Sequence, residues 1–422
     1  MARRARGRSE PGIPAFPGRG AVKMLREARK RDVGRHGMHS PESETEADAI
    51  RDLAARWAAL LGDGDFVVSP VGLWMGLGVV AAGARGATGD ELGALLGVRG
   101  EAAAEAVTRV GRRVAALDGV GAATGVWSAV PVREGFRRGV PDVRFGVLPW
   151  AALFALPDEV LPATDDMSFG ELPDFQGDVD AWVRRVTGGR IRRMPVEMEG
   201  SEDLVLLNAL SLKASWASAF PAHLTRDAPF TDRCGVTGAV PTMRRRIPAG
   251  WVWGVDGVTV VELPCDGVRV RFLLGREGGR PAEVLPAAWA GGGERLAPVG
   301  DSVELALPRF SLRATVDVLP HLAALGVVRA LSPGADFSGI SAADLFIGGV
   351  AQSAVVDVAE DGVEAAGVTQ VAMTRGSADS RRTERIAFDR PFGVVVLDGA
   401  AELPLFVGWR SSAPLDDPRQ QA

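Results

Sequence analysis

The chain has 422 residues, is 46% hydrophobic and 24% charged, and carries a net charge of −5. That is close to globular averages and long enough for one large domain or two ordinary ones. The mild negative balance gives no global pull toward nucleic acid or an anionic membrane, and the two cysteines, Cys234 and Cys265, exclude a disulfide-dense scaffold while matching no metal or redox spacing.

In chain order, residues 1–43 come first. Arginines and lysines run from Arg3 to Arg35 against Glu10, Glu27 and Asp32, and proline and glycine interrupt them repeatedly. The segment lacks the apolar core of a secretory signal and reads as a solvated, disordered extension. From Thr45 to Leu61, Ile50, Leu53, Trp57, Leu60 and Leu61 share one helical face. Phe66 to Ala84, "FVVSPVGLWMGLGVVAAGA", contains no charge. Pro70 and the glycines argue against a membrane span, so the stretch reads as a helix buried on all sides. Its "GLGVVA" mimics half of a dinucleotide-binding turn, which alone is weak. Ala102–Leu117 is a further helix, and "DVDAWVRRV" (Asp178–Val186) is another, stopped at Gly188-Gly189.

Strands dominate the second half. "LVLLNALSL" (Leu204–Leu212) reads as a central strand in which Asn208 needs a partner. Thr259–Gly275 reads as a hairpin turning at Asp266-Gly267, Ser302–Val316 as one alternating strand, and Pro391–Trp409 as a second hairpin. A short helix, "DVLPHLAALGV", follows the alternating strand. No repeat and no internal linker is visible, so residues 44–414 read as a single mixed α/β domain with a flexible tail at 415–422.

Catalytic constellations are absent. The histidines are His36, His39, His223 and His321, without metal-ligand spacing, and there is no G-x-S-x-G elbow and no P-loop. Ser69 before Pro70 has no nominated base and reads as a helix cap. Nothing in the chain implies a cofactor, a metal or an enzyme.

The motifs nevertheless resemble those of one family, the serpins. "VVSPVGLWMGLGVVAAGARGATGDELGALLG" (Val67–Gly97) resembles the family's Ser-Pro entry into a buried helix and the turn after it. "VDAWVRRVTGGRI" and "LLNALSLKASWASAF" resemble two further family segments, the second placing Asn208, Lys213 and Trp216. "ADFSGIS" (Ala335–Ser341), "EDGVEAAG" (Glu360–Gly367) and "FDRPFGVVVL…PLFVG" follow in family order. The resemblance implies a large central sheet, two further sheets, about nine helices and an exposed reactive-centre loop at about 360–387. It implies a suicide inhibitor of a serine protease, trypsin-like or subtilisin-like; a monomer is expected, and from the mild charge no contact with nucleic acid or membrane. A protease cuts the loop, forms an acyl-enzyme, and is trapped as the loop inserts into the main sheet. A non-inhibitory serpin-fold binding or chaperone-like module is the alternative, which a charged or proline-rich hinge would favour. An extracellular setting is implied by the family, while the absence of a signal core in residues 1–43 leaves a cytoplasmic one open.

The loop sequence supports insertion independently. Val363, Ala365, Gly367, Thr369, Val371 and Met373 alternate as small or mostly apolar residues, and Glu364, Ala366, Val368, Gln370, Ala372 and Thr374 form a more polar set. That is the period of a strand, with no proline to interrupt it and Gly362 at the pivot. Insertion adds about ten backbone bonds at roughly 0.5–1.5 kcal/mol each, on the order of 10 kcal/mol. By resemblance, Glu360 pairs with Arg309 beside Trp216, where the sheet first opens. The family's count from Glu360 ends on Gly376, but Arg375 is the better specificity handle, so the reactive bond is placed at Arg375–Gly376. Gly376–Ser377, Met373–Thr374 and cuts at Arg381 or Arg382 are alternatives. Two departures concern the polar cluster under the parting strands: Gln352 and Gly72 stand where the family often has His and Ser, with Gln352 in reach of Ser69 or Asn208. A third is Val363, where the first inserting residue is usually Thr or Ser.

Overall fold

The computed structural model describes residues 41–151, 174–194, 196, 202–290, 301–363 and 384–414. Contacts divide the chain into two compact units, Met1–Glu44 and Thr45–Ala422. Of the first unit, only the opening residues of the helix Pro41–Ala58 are described.

Strand β1 (Phe66–Val68) leads into the helix Pro70–Gly83, every residue of which is buried. Ser69 caps it, its hydroxyl accepting from the Gly72 N–H at 3.1 Å, and Pro70 occupies the first turn, where its missing N–H has no helical partner to lose. The helix has no polar face because it has no wet side. It packs between β4 (Leu204–Leu212) and β17 (Pro404–Arg410), which belong to two different sheets. No helix among the described residues is long and apolar enough to cross a membrane.

The largest sheet has seven strands. Its centre is β13 (Ile347–Ala359), which runs parallel to β4 on one side and antiparallel to β12 (Phe310–Asp317) on the other. Beyond β4 lie β2 (Val120–Ser128) and the edge strand β3 (Arg144–Val147). At the far end of β13 two short strands fill the gap on the β4 side: β5 (Ala214–Ser215), which continues β4, and β14 (Gly362–Val363), which folds back from β13. A six-stranded sheet contains β1, β17, β16 (Phe392–Asp398), β10 (Val268–Leu274), β9 (Val258–Pro264) and β8 (Val252–Val255) in that order. A four-stranded sheet contains β15 (Glu384–Ala387), β11 (Ser302–Pro308), β7 (Thr237–Pro248) and β6 (Arg226–Thr231). Both expected hairpins are present, the first turning at Gly267 with φ of 72°. The mixed α/β architecture with one large and two further sheets is as expected; among the described residues there are eight α-helical segments, three of them six residues or shorter.

Two features were less legible. Ser302–Val316, expected as one strand, is two strands in two sheets, with the crossing at Pro308-Arg309. Period-two alternation holds on both sides, but its phase slips by one between Leu307 and Phe310, and that slip, with Pro308, which has no N–H for a ladder, marks the change of partner. The helix Phe175–Val186, capped by Asp174, lies over the outer face of the large sheet. Trp182 meets Trp127 of β2 edge-on at 5.1 Å, and Val179, Leu207, Ala209 and Val355 complete a second core there.

Two motifs that are far apart in sequence make one contact. The Gly339 N–H donates to Gly83 O, the Arg85 N–H to Asp336 O, and the Asp336 N–H to Thr88 Oγ1 at 3.1, 2.9 and 2.9 Å. "ADFSGIS" therefore closes the turn that follows the buried helix.

Candidate functional site

The site lies where β13 and β4 part company. The parallel ladder runs from Ile347 opposite Leu204 to Val355 opposite Ser211 and then ends. In the gap beyond it, β14 pairs antiparallel with both neighbours: Val363 stands opposite Val358 and Ala214, and Gly362 opposite Ala359 and Ser215. Val363 is fully buried. Gly362 is needed for a steric reason as well as for freedom, since a Cβ there would sit 2.2 Å from the Ala214 carbonyl oxygen.

The turn that precedes β14 is clamped from one side by the chain after β5. Trp216 Nε1 donates to Ala359 O at 2.8 Å, the Trp216 N–H to Asp361 O at 3.0 Å, and the Phe220 N–H to Glu360 O at 2.8 Å. Trp216 itself is buried against Phe220 and Phe272. The expected Arg309–Glu360 pair is present, with Nη1 and Oε2 3.9 Å apart. The closer partner of that carboxylate is Thr225, whose hydroxyl donates to Oε1 at 2.8 Å. Sequence reading gave no role to Thr225, which falls in no motif, or to Phe220, which closes "LLNALSLKASWASAF"; only the fold brings them to the turn. Cys265, whose backbone pairs with that of Trp216 in an isolated antiparallel bridge, and Cys234 are both free thiols. Burial, with Asp266 adding to it, pushes the Cys265 thiol far up, so it is an inert packing group.

Deeper in the sheet, β4 and β13 are joined by side chains as well as by their ladder. Gln352 Nε2 donates to Asn208 Oδ1 at 3.1 Å and to Ser69 O at 2.9 Å, and its Oε1 accepts from the Ser69 N–H at 2.6 Å. Asn208 Nδ2 donates to Ala123 O and Thr124 Oγ1 of β2, both at 3.1 Å. Every polar group in this buried cluster thus has a partner, as burial requires. Gly72 leaves room for it, because a Cβ at that position would come within 2.0 Å of Asn208 Oδ1. The two departures from the family pattern therefore fit together: the longer Gln352 reaches both Ser69 and Asn208, and Gly72 gives up the side chain for which no space remains.

Ala365, Gly367, Met373, Arg375, Gly376 and Ser377, assigned to the loop and its reactive bond, lie outside the described residues. Glu360, Gly362 and Val363, assigned to the hinge, and Trp216, Arg309, Asn208, Ser69 and Gln352, assigned to the sheet-opening region, are among the described residues.

The family model for serpins, the serine protease inhibitors, matches residues 162–413, more than half of the chain. The chain belongs to the serpin family. A serpin-like protein of Thermococcus kodakarensis is 32% identical over 271 residues, which cover 60% of this chain and 62% of that protein. The leukocyte elastase inhibitor of Bos taurus is 30% identical over 244 residues, covering 50% and 62%. Serpin A9 of Mus musculus is 28% identical, and the chain spans 58% of its length. In three dimensions the chain resembles Serpin48, described as a highly specific serpin of the insect Tenebrio molitor, with a TM-score of 0.72, 23% identity, and coverage of 89% of this chain and 100% of that one. Human thyroxine-binding globulin in complex with its hormone has a similar fold at a TM-score of 0.70 and 22% identity, covering 88% and 98%. The relatives thus include an elastase inhibitor, and the similar folds include a thyroxine-binding globulin.

Proposed function

We propose that this protein inhibits a serine protease by suicide-substrate trapping, and that residues 44–414 form the inhibitory domain, with 1–43 and 415–422 as appendages. The observation that carries the proposal is the position of β14. It occupies the top of the slot between β13 and β4–β5, antiparallel to both. A longer strand in that slot would replace the parallel β4–β13 ladder by two antiparallel ones, the slightly more stable pairing.

The register of β14 fixes where each following residue would land. Partners on β13 sum to 721 (358 and 363) and partners on β4–β5 sum to 577 (214 and 363). Ala365 then falls between Val356 and Leu212, Gly367 between Ala354 and Leu210, and Thr369 between Gln352 and Asn208. The one hydroxyl of the inward-facing set would arrive at the polar cluster it has to separate. Glu364, on the other face, would stand beside Lys213 and Asp357. That outer face is covered by the helix Phe175–Val186 rather than by water, which suits Ala366, Val368 and Ala372.

Arg375 remains the proposed specificity residue, with a trypsin-like or subtilisin-like protease as partner. The protein has no catalytic role of its own in this scheme. Incubation with trypsin followed by denaturing electrophoresis tests it: a covalent band at the summed masses is expected. Quantitative cleavage without that band would rule trapping out and leave the non-inhibitory alternative.

A further inference from the structure

The four-stranded sheet carries a feature that loop insertion does not use. A concavity of about 360 Å³ opens where β7 runs past the start of β6, and it is lined by Leu224, Arg226, Arg244, Arg245, Arg246 and Glu304. Four arginines and one carboxylate thus line it. Strand register explains the crowding. Arg246 stands opposite Glu304, Arg226 stands opposite Thr242 and so diagonal to Arg244, and side chains two apart share a face. Arg245 starts from the other face of β7 and reaches the same edge beside Phe220, its guanidinium carbon 5.4 Å from that ring centroid.

The charges are under-compensated. Among the described residues, neither Arg226, Arg244 nor Arg246 has an ion pair within 4.0 Å, and Glu304 has none either. Arg245 donates from Nη1 to the Ser218 carbonyl, but its Nε is buried and finds no acceptor. Burial also pulls its pKa below the ordinary arginine value, the mark of a cation without a counter-charge. Leaving a guanidinium donor buried and unpaired is costly, and Arg forks match the oxygens of phosphate and sulfate groups geometrically.

We infer that this arginine-lined concavity is a binding site for a small oxyanion, a phosphate or sulfate group, on the same sheet as β15, the strand that receives the chain after the loop. The inference does not depend on the inhibitory mechanism.

The test is a thermal-shift and calorimetric titration of the full chain with inorganic phosphate and with sulfate, against chloride at matched ionic strength. A saturable stabilisation by either oxyanion is expected, weakened about tenfold or more in R244A/R246A. An R226A variant serves as a second probe if the double variant folds poorly, and R112A, on the distant helix Gly100–Ala115, should bind as wild type does. No shift beyond chloride, or an equal shift in R244A/R246A, would overturn the site. Binding of a sulfated polysaccharide without any binding of phosphate or sulfate would also overturn it, replacing a discrete pocket by a diffuse basic surface.

Discussion

The side chain of Gln352 reads the backbone of Ser69 at two points, accepting from its N–H at 2.6 Å and donating to its carbonyl at 2.9 Å. A strand residue in the centre of the large sheet is thereby fixed to the residue that caps the buried helix. The same amide nitrogen also reaches Asn208 on the neighbouring strand. Gln352→Leu keeps the volume but strips all three bonds and leaves the Ser69 N–H and Asn208 Oδ1 buried without those partners. The expected loss is about 2–4 kcal/mol of native-state stability by chemical denaturation. Gln352→Glu, nearly isosteric, would set an acceptor against two acceptors and be desolvated. Its folded pKa would be raised, so its stability relative to wild type should fall as pH rises from 4 to 7, roughly through the ordinary glutamate range and above.

Gly72 and Asn208 should prove coupled. Gly72→Ala puts a methyl group where Asn208 Oδ1 already sits, and overpacking of this kind costs about 1–3 kcal/mol. In an Asn208→Ala background the clash disappears, so the double variant should be more stable than the sum of the single losses predicts. A double-mutant cycle by urea denaturation measures this, and additivity within about 0.5 kcal/mol would contradict the stated geometry.

Ala365→Arg tests insertion through the register. The substituted side chain would have to enter between Val356 and Leu212, both buried. Trypsin should then cleave the variant without forming a covalent complex. Cleaved wild type should gain on the order of 20 °C in Tm, from roughly 10 kcal/mol of new pairing, and the cleaved variant should gain almost none.

Asp65 should govern part of the acid sensitivity. Burial pushes its carboxyl upward, but hydrogen bonds from Ser412, the charge of Arg410 and the N–H groups of Ser411 and Ser412 outweigh it and hold the pKa below the ordinary value. A depressed folded pKa gives stability that is present above the unfolded value, near 3.9, and lost as pH falls through the folded one. Asp65→Asn should cost about 1.5–3 kcal/mol at neutral pH. The gap to wild type should close progressively below about pH 4, as followed by denaturation midpoints across that range.

The sequence disclosed the elements well where one physical signal dominated. The uncharged run with a Ser-Pro start read best as a buried helix, which it is from Pro70 to Gly83 after a short strand, and the two hairpins followed from their turns. It was silent where partners, and not periods, decide the outcome. Ser302–Val316 alternates on both sides of Pro308 although the two halves serve different sheets. Thr225 became the close partner of Glu360 only because the loop base folds over it. Asn208 announced that it needed a partner and Gln352 was in reach of it or of Ser69, but that Gln352 bonds both at once, and the reason Gly72 lacks a side chain, are properties of the space among three segments.

The foothold of β14 has a kinetic consequence. Because side chains alternate, a slip of one position would turn Val363 from the interior toward the covering helix and misplace every residue after it. In the proposed mechanism, with Gly362 and Val363 already docked, no alignment would remain to be found once a bond breaks. The race against water at the acyl-enzyme would then start from a seated end, and its outcome would be set by how fast the Gln352–Asn208 contact gives way.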